Sequence, residues 1–286
     1  PRQDMTPKTL YVSDLDGTLL STDSRISARS AETISRLTSE GALITVATAR
    51  TPATVVPLLG QTAITPPAVV MTGCALWQRE EGRFMRPHFV PEGDLRGALD
   101  FCRTHGVHPF VYVMAPDGAT LDVYHAAPRL NRPEEAFYLE RRRLTLKRFH
   151  LGQPAPERAA DSTMLLFAMG DEKPIRAAFE AFRNTSECAS YCYPDVFNPH
   201  VWNFEVFPPR ISKAMAVQRL KEELGCERLV AFGDSLNDLP LLAVADEAVA
   251  VGNALPEVKA AATAIIEPNY TDSVARFIEE DFGGRR

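Results

Sequence analysis

Short apolar runs alternate with helical patterns at both ends of this 286-residue chain. The runs stop at polar residues: TLYVS (9–13), ALITVAT (42–48), AVVMT (68–72), RLVAFGD (228–234), EAVAVG (247–252) and TAIIEP (263–268). Ser27 and Ser212 stand where a side chain would cap a helix that ends at a glycine, Gly41 or Gly225. Because strands that are apolar along their whole length are buried on both faces, the pattern predicts an α/β fold with a doubly wound, Rossmann-like parallel sheet.

The middle of the chain has a different pattern. Its strands follow one another at hairpin-like spacing with few helices between them: PFVYVMA (109–115), TLDVYH (120–125), MLLFAMG (164–170), ASYCYP (189–194) and VWNFEVF (201–207). This spacing predicts an antiparallel sheet with helices on one face. We therefore expect a core domain formed by residues 1–85 and 208–286, with residues 86–207 inserted as a second, α+β domain.

The composition of the chain limits its partners. Asp and Glu exceed Lys and Arg by 37 to 31, so a net charge of −6 gives no general attraction to nucleic acid or to an anionic membrane. No apolar stretch reaches the roughly 18 residues of a membrane helix, and the opening PRQDMTPK lacks the apolar centre of a signal peptide. Five scattered cysteines do not form a disulfide framework. We expect a cytoplasmic protein with no nucleic-acid or membrane partner.

Polar residues collect where the predicted strands end. In an open parallel sheet the carboxyl ends of the strands meet at one edge, and ligands bind there. The residues expected at this edge are Asp14, Asp16, Thr48, Arg50, Lys213, Asp234, Asn237 and Asp238. Asp14 and Asp16 are two residues apart, so on an extended strand both would project to the same side while Leu15 turns into the core. Two carboxylates so close repel each other, so either a cation or a reaction that needs both charges must account for the pair.

The residue types at this edge suit a metal and a phosphate. Several carboxylate oxygens favour a hard cation such as Mg²⁺, which accepts phosphate oxygens as further ligands. Thr48, Lys213 and the backbone amides that follow Asp14, beginning with Leu15, have donors for the other phosphate oxygens. The sequence therefore predicts that a metal ion and a phosphoryl group hold the two acids in place.

Five short motifs in this order resemble the haloacid dehalogenase (HAD) superfamily. They are DLDGTLL (14–20), TAR (48–50), SK (212–213), GDSLNDL (233–239) and VGNA (251–254). The large insert before Lys213 is similar to that of the Cof-like phosphatase branch. The resemblance implies that Asp14 attacks phosphorus, and that Asp16 protonates the leaving oxygen and later deprotonates water. It also implies Mg²⁺ on Asp14, the Asp16 carbonyl and Asp234.

The resemblance gives the other edge residues supporting roles. Lys213 and Thr48 would orient the phosphoryl oxygens, with Arg50 as a further candidate, and Asn237 and Asp238 would support the metal and the phosphate. Two positions depart from the family pattern. Thr72 stands where an Asn is usual, and Arg210 stands where a Gly precedes the lysine.

The resemblance further implies that the insert is a cap that meets the leaving group. Alternation along its strands predicts one face that packs under the cap helices: Val111, Val113, Leu121, Val123, Phe204 and Val206. The opposite face would present rings and polar groups: Phe110, Tyr112, Asp122, Tyr124, Asn203 and Glu205. Tyr112, Tyr124 and Glu205 are the candidates for substrate contacts, because a mixed face suits a polyol. A merely solvated face is the alternative.

Three functions remain open on the sequence alone. The first is a Mg²⁺-dependent phosphatase of a small phosphorylated metabolite, with a sugar phosphate favoured. The second is a phosphomutase of the same superfamily, which would need a bisphosphate activator. The third is a binding protein that kept the fold and lost the chemistry, although no expected nucleophile, acid or metal ligand is missing.

Overall fold

The computed structural model describes residues 7–195 and 198–284. The strands are β1 (Thr9–Ser13), β2 (Leu43–Val46), β3 (Ala68–Val70), β4 (Ala75–Gln78), β5 (Arg83–Met85), β6 (Phe110–Met114), β7 (Leu121–His125), β8 (Lys147–Leu151), β9 (Thr163–Gly170), β10 (Cys188–Pro194), β11 (Trp202–Pro209), β12 (Arg228–Gly233), β13 (Glu247–Ala250) and β14 (Ala264–Ile265). The helices are α1 (Ala28–Ser39), α2 (Pro52–Leu59), α3 (Glu92–Thr104), α4 (Arg132–Arg141), α5 (Glu172–Phe182), α6 (Lys213–Glu223), α7 (Leu239–Ala243), α8 (Pro256–Ala261) and α9 (Ser273–Gly283).

These elements divide into two compact units. The first unit holds the residues up to Met85 together with those from Ser212 onward, and the second is Arg86–Ile211. Strand β11 runs on to Pro209, two residues past the boundary expected from the sequence. The boundaries between the units thus lie directly after β5 and shortly after β11.

A five-stranded parallel sheet forms the centre of the first unit. Its order is β14-β13-β12-β1-β2, and every neighbouring pair is parallel. Residues such as Leu10, Val12, Leu229 and Phe232 have no solvent exposure, as expected for strands covered on both faces. The predicted α/β class with a parallel-sheet core is confirmed.

The run AVVMT takes a different position from the one expected. Strand β3 pairs with β4 in a small antiparallel sheet of order β3-β4-β5, and an isolated parallel bridge from Ala47 to Val69 joins it to the end of β2. The strand stops at Val70 because Met71 and Thr72 take left-handed backbone conformations, with φ of 50° and 59°. An apolar run alone does not reveal this early turn.

The second unit contains a six-stranded sheet of order β10-β11-β9-β6-β7-β8. All neighbouring pairs are antiparallel except β7 with β8, which is parallel. Helices α3 and α5 cover one face, where Ala98 and Phe182 pack in one cluster with Val111, Leu166 and Phe204. We call this the helix-pair face.

Helix α4 lies on the other face of that sheet, so the expectation of helices on one face only is wrong. The Phe137 ring of α4 lies 5.3 Å from the ring of Phe110 and 5.2 Å from that of Phe167. Tyr138 of the same helix contacts Phe149 of β8, with ring centroids 5.2 Å apart. Apolar side chains are therefore buried on both faces of the sheet.

The strand register corrects the expected faces of β7. Val111 lies opposite Tyr124, and Tyr112 lies opposite Val123. Directly opposed residues of antiparallel strands project to the same face, so Tyr124 belongs to the helix-pair face and Val123 does not. The expected assignment is wrong for the four residues Leu121, Asp122, Val123 and Tyr124. Alternation shows which residues share a face, but both faces here are buried in part, so it does not show which face is which.

The helix caps predicted at Ser27 and Ser212 are confirmed. The Ser27 and Ser212 hydroxyls accept hydrogen bonds from backbone amides in the first turns of α1 and α6, at 3.0 and 3.1 Å. All five cysteines are free thiols. Within residues 7–195 and 198–284, we find no helix that combines the length and apolar character needed to cross a membrane.

Candidate active site

Asp14 lies directly beyond the end of β1 and is buried. Its backbone amide donates to the carbonyl of Phe232 on the neighbouring strand β12 (3.0 Å), and the residue is 6% exposed. The chain then turns at Gly17, whose φ is +76°. Leu15 points into the core as expected, but Asp16 lies in the turn with its side chain 54% exposed. The two acids thus do not share a strand, because β1 ends before either of them.

Lys213 joins two of the predicted site residues. It begins α6, and its Nζ donates to Oδ1 of Asp14 (2.6 Å) and Oδ1 of Asp238 (2.8 Å). All three residues are buried. Burial disfavours the ammonium, but the two carboxylates outweigh it and raise the pKa of Lys213 above its ordinary value. Burial also raises the pKa of Asp14, and the Lys213 charge opposes that rise. The lysine therefore carries its charge in the site.

The start of α6 is fixed by a close backbone contact. Gly73 has a φ of +91°, and a Cβ placed there would lie 2.3 Å from the carbonyl oxygen of Ser212. Since no other residue fits this approach, the loop after β3 and the start of α6 are held together. The contact positions Lys213 next to Asp14.

Three carboxylates form the acidic cluster of the site: Asp14, Asp234 and Asp238 each have an oxygen within 4.8 Å of the others. Asp238 uses one oxygen for Lys213 and the other for the backbone amides of Asp234 (3.1 Å) and Ser235 (3.2 Å). Asp234 is half-buried, and burial raises the pKa of its carboxyl to about 6. A carboxylate set of this kind is chemically suited to a hard divalent cation, with Asp14 and Asp234 better placed as ligands than the fully engaged Asp238.

Asp16 is held by Arg50. Nε and Nη2 of Arg50 donate to the two carboxylate oxygens of Asp16 at 2.7 and 2.6 Å. This contact raises the pKa of Arg50 above its ordinary value, in spite of partial burial. The Thr48 hydroxyl accepts from the Arg50 amide (3.1 Å) and is buried. Arg50 of the motif TAR therefore fixes the position of Asp16 in the motif DLDGTLL.

Asn237 lies in the turn that carries Asp234 and Asp238. Its side chain is exposed, and its Oδ1 accepts a hydrogen bond from the Ser235 hydroxyl at 2.6 Å. Ser235 also forms a capping box with Asp238. Asn237 thus stabilises the turn that carries Asp234 and Asp238.

A family model described as haloacid dehalogenase-like hydrolase matches residues 11–278 of this chain. The chain belongs to this family. HAD-like hydrolases with full-length similarity include two named phosphatases. One is a 5-amino-6-(5-phospho-D-ribitylamino)uracil phosphatase of Bacillus subtilis, 26% identical over 96% of this chain and 97% of its own length. The other is a pyridoxal phosphate phosphatase of Escherichia coli, 25% identical over 93% of this chain and 95% of its own. The enzyme class of the chain is that of a phosphoric monoester hydrolase.

Solved structures of HAD-like hydrolases share the fold. One from Bacteroides thetaiotaomicron superposes with a TM-score of 0.78 at 24% identity, covering 96% of this chain and 99% of that one. A HAD subclass IIB sugar phosphatase gives a TM-score of 0.70 at 20% identity, with the same coverage of both chains. At this identity the similarity establishes the fold.

Three residues of this HAD-like hydrolase support the site although the sequence analysis gave them no role. The Thr18 hydroxyl donates to Oδ1 of Asp234 (3.0 Å). A Cβ at Gly17 would lie 2.4 Å from Oδ2 of the same carboxylate, so only glycine fits. Asn253 donates from Nδ2 to the carbonyl of Gly17 (2.8 Å). All three stand inside the motifs DLDGTLL and VGNA, and their position there was the available signal.

The three candidate cap residues lie in the second unit, on two different faces of its sheet. Tyr112 is buried, with Lys147 of β8 5.1 Å above its ring. Glu205 shares the face of Tyr112 and is partly buried. Tyr124 lies on the helix-pair face, stacked on His150 at 4.5 Å. Of the expected set, Tyr112 and Glu205 therefore share a surface and Tyr124 does not.

Proposed function

We propose that this HAD-like hydrolase is a Mg²⁺-dependent phosphatase of a small phosphorylated metabolite, with a sugar phosphate as the favoured class. The observation that carries the proposal is the buried Asp14 carboxylate, which receives Lys213 on one oxygen and lies within 4.8 Å of the Asp234 and Asp238 oxygens. A carboxylate held in this way is oriented for attack, and its other oxygen accepts no hydrogen bond from the residues that the structure describes.

The reaction would proceed in two steps on Asp14. A free Asp14 oxygen attacks phosphorus, the ester P–O bond breaks, and Asp16 gives its proton to the leaving alcohol. Water then attacks the phosphorus of the aspartyl phosphate, the bond to Asp14 breaks, and Asp16 takes the proton of the water. The second step returns Asp14 as a carboxylate and releases inorganic phosphate.

The other site residues would hold the phosphoryl group and a metal ion. Lys213 donates to the phosphoryl oxygens while it stays bound to Asp238, and Thr48 and the Leu15 amide provide further donors. Asp14, the Asp16 carbonyl and Asp234 would hold Mg²⁺, with Thr18 orienting Asp234. When bound, Mg²⁺ supplies positive charge that offsets the repulsion between a carboxylate and a phosphate.

A phosphatase screen tests this function. Wild-type protein is assayed against p-nitrophenyl phosphate and a panel of phosphorylated metabolites, with Mg²⁺ or with a chelator, beside Asp14→Asn. We expect turnover that needs Mg²⁺ and no bisphosphate activator, and a variant that folds but has lost at least about a thousandfold in kcat. Robust turnover by the variant, or by chelated wild-type enzyme, would contradict the proposal.

A further inference from the structure

The turn at Asp16 and Gly17 determines where one of the proposed metal ligands points. Asp16 has φ of −70° and ψ of 123°, and Gly17 has φ of 76° and ψ of −4°. These are the dihedral angles of a type II turn, in which the direction of the central carbonyl depends on the positive φ of the residue that follows. The central carbonyl here is that of Asp16. Contacts that hold this turn therefore act on the proposed Mg²⁺ site.

Two side-chain amides bind backbone carbonyls of residues 14–20, which we call the Asp16 loop. Nδ2 of Asn253 donates to the carbonyl of Gly17 (2.8 Å), and Nδ2 of Asn269 donates to the carbonyl of Leu20 (2.7 Å). We call these two hydrogen bonds the loop tethers. The amide of Leu20 also donates to the carbonyl of Leu15 (2.9 Å), so the second tether holds the point where the loop closes on itself.

Asn269 takes part in both tethers. Its backbone amide donates to Oδ1 of Asn253 (2.9 Å). Because Oδ1 is an acceptor and is bound to this donor, the Nδ2 donor of Asn253 is left facing the Gly17 carbonyl. Asn269 thus orients the first tether through its backbone and forms the second with its side chain.

The segment around Asn269 is fixed by a close approach to the motif VGNA. The Gly252 amide donates to the carbonyl of Glu267 (3.2 Å), and a Cβ placed at Gly252 would lie 2.9 Å from Cδ and N of Pro268. The carbonyl of Pro268 accepts from both the amide and the hydroxyl of Thr271, at 3.0 and 2.7 Å. Asn269 therefore lies in a closed turn that is packed against the motif.

The Asp16 loop contributes to the proposed metal site in two ways. The Asp16 carbonyl would be one ligand, and the Thr18 hydroxyl donates to Asp234, which would be another (3.0 Å). The side chain of Asp16, by contrast, is held separately by Arg50. Loss of a tether should therefore weaken metal binding more than it disturbs the proposed proton donor.

We infer that Asn269 is a positioning residue of the site, which holds the Asp16 loop in the conformation that Mg²⁺ binding requires. The inference rests on the proposed phosphatase function and its metal ion. Asn269 lies outside all five sequence motifs, and it acts on the metal site through the backbone of the loop and through Asn253.

Mg²⁺ titrations of Asn269→Ala test the inference. The thermal unfolding midpoint is followed as Mg²⁺ is added without substrate, and kcat for p-nitrophenyl phosphate is measured over the same concentrations. We expect the Mg²⁺ concentration at half-saturation to rise at least about fivefold in both measurements, while kcat at saturating Mg²⁺ stays within about threefold of wild type. A role in stability alone would lower the midpoint equally with and without Mg²⁺ and leave half-saturation unchanged.

Thr271→Val is the matched control, because it removes a hydrogen bond of the same turn that does not reach the Asp16 loop. It should bind Mg²⁺ as wild type does. Asn253→Ala removes the other tether at an exposed position and should also raise the half-saturating concentration. In the double variant of Asn253 and Asn269 the increase should be smaller than the product of the two single increases, because both tethers hold one loop.

Wild-type Mg²⁺ affinity in Asn269→Ala or in Asn253→Ala would overturn the inference. The phosphatase function would still stand if the wild-type protein hydrolyses p-nitrophenyl phosphate with Mg²⁺. A wild-type protein without Mg²⁺-dependent hydrolysis of any phosphate ester overturns the proposed function itself.

Discussion

Both carboxylate oxygens of Asp16 are bound by a single guanidinium, that of Arg50, at 2.7 and 2.6 Å. Such a two-point contact fixes the plane of the carboxylate as well as its position. Half of the Asp16 side chain is nevertheless exposed, so the acid is oriented while it stays accessible. This arrangement gives Arg50 a role in positioning the proposed proton donor.

Arg50→Lys should therefore impair the leaving-group step selectively. Lysine keeps the positive charge but lacks the two-point geometry, so Asp16 would be held less firmly. We expect kcat for an alkyl phosphate to fall at least about tenfold further than kcat for p-nitrophenyl phosphate, whose leaving group needs little protonation. Arg29→Lys, at an exposed position of α1, is the control. Equal losses on both esters would instead place Arg50 on the phosphoryl group.

Thr18→Val should weaken binding of the metal ion. The substitution keeps the shape of the side chain but removes the hydroxyl that donates to Asp234. Loss of a hydrogen bond that orients a ligand typically costs about 10- to 100-fold in metal affinity. Mg²⁺ titrations, followed by activity and by the shift of the thermal unfolding midpoint, measure the effect. Thr45→Val, a buried threonine of β2, should leave the Mg²⁺ affinity unchanged; an unchanged affinity in Thr18→Val would remove Thr18 from the site.

Gly17→Ala and Gly82→Ala separate backbone strain from crowding at the site. Both glycines have positive φ, so alanine at either costs about 1–2 kcal/mol of stability. A Cβ at Gly17 meets the Asp234 carboxylate at 2.4 Å, whereas a Cβ at Gly82 meets nothing within 4 Å. Activity should therefore collapse in Gly17→Ala and persist in Gly82→Ala. Chemical denaturation and kcat/KM for p-nitrophenyl phosphate provide the two readouts, and full activity in Gly17→Ala would contradict the arrangement.

Lys147 makes the stability of the chain depend on pH. Burial, together with the smaller effect of the nearby Arg141 charge, lowers the pKa of Lys147 from 10.5 to about 7. Between about pH 7 and 10.5 the unfolded chain binds a proton that the folded chain releases, so this residue makes stability rise with pH across that window and destabilises the fold most below it. Lys147→Met should flatten that rise and increase stability at pH 6.5 by about 1–3 kcal/mol.

The thermal unfolding midpoint, followed from pH 6.5 to 9.5, measures the Lys147 effect. Lys173→Met, an exposed lysine of α5, should behave as wild type. A Lys147→Met variant that is less stable at low pH, or that keeps the wild-type slope, would show that the buried ammonium is not the cause.

The residues of the candidate site that sequence reasoning brought together are those whose position is set locally. Asp14 comes directly after β1, Asp234 comes directly after β12, and Lys213 is the first residue of α6. Once these elements are predicted, the positions of the three residues are predicted too. The faces of the sheet in the second unit are not set locally in this way. Tyr124 was assigned to the wrong face because α4 buries the side of the sheet that was expected to stay open, and burial on both sides removes the contrast on which alternation relies.

The contacts that support the site could not be predicted from short stretches of sequence either. Asn253 reaches Gly17 across 236 positions of the chain, and Gly73 contacts Ser212 through its backbone. Contacts of this kind depend on how separate segments meet, which neither propensity nor periodicity encodes. The arginine at position 50 shows the same limit, because its Asp16 partner is visible only once two loops are placed side by side.

Capture of the phosphorylated enzyme tests the central claim most directly. In Asp16→Asn, p-nitrophenyl phosphate should still phosphorylate Asp14, because its leaving group needs no acid, whereas hydrolysis of the intermediate lacks its base. Rapid quenching with peptide mass spectrometry should find a stoichiometric burst of p-nitrophenol and one phosphoryl group on Asp14, and neither in the Asp14→Asn, Asp16→Asn double variant. Steady turnover with no burst, or a phosphoryl group on any other residue, would contradict the assignment of Asp14 as the nucleophile.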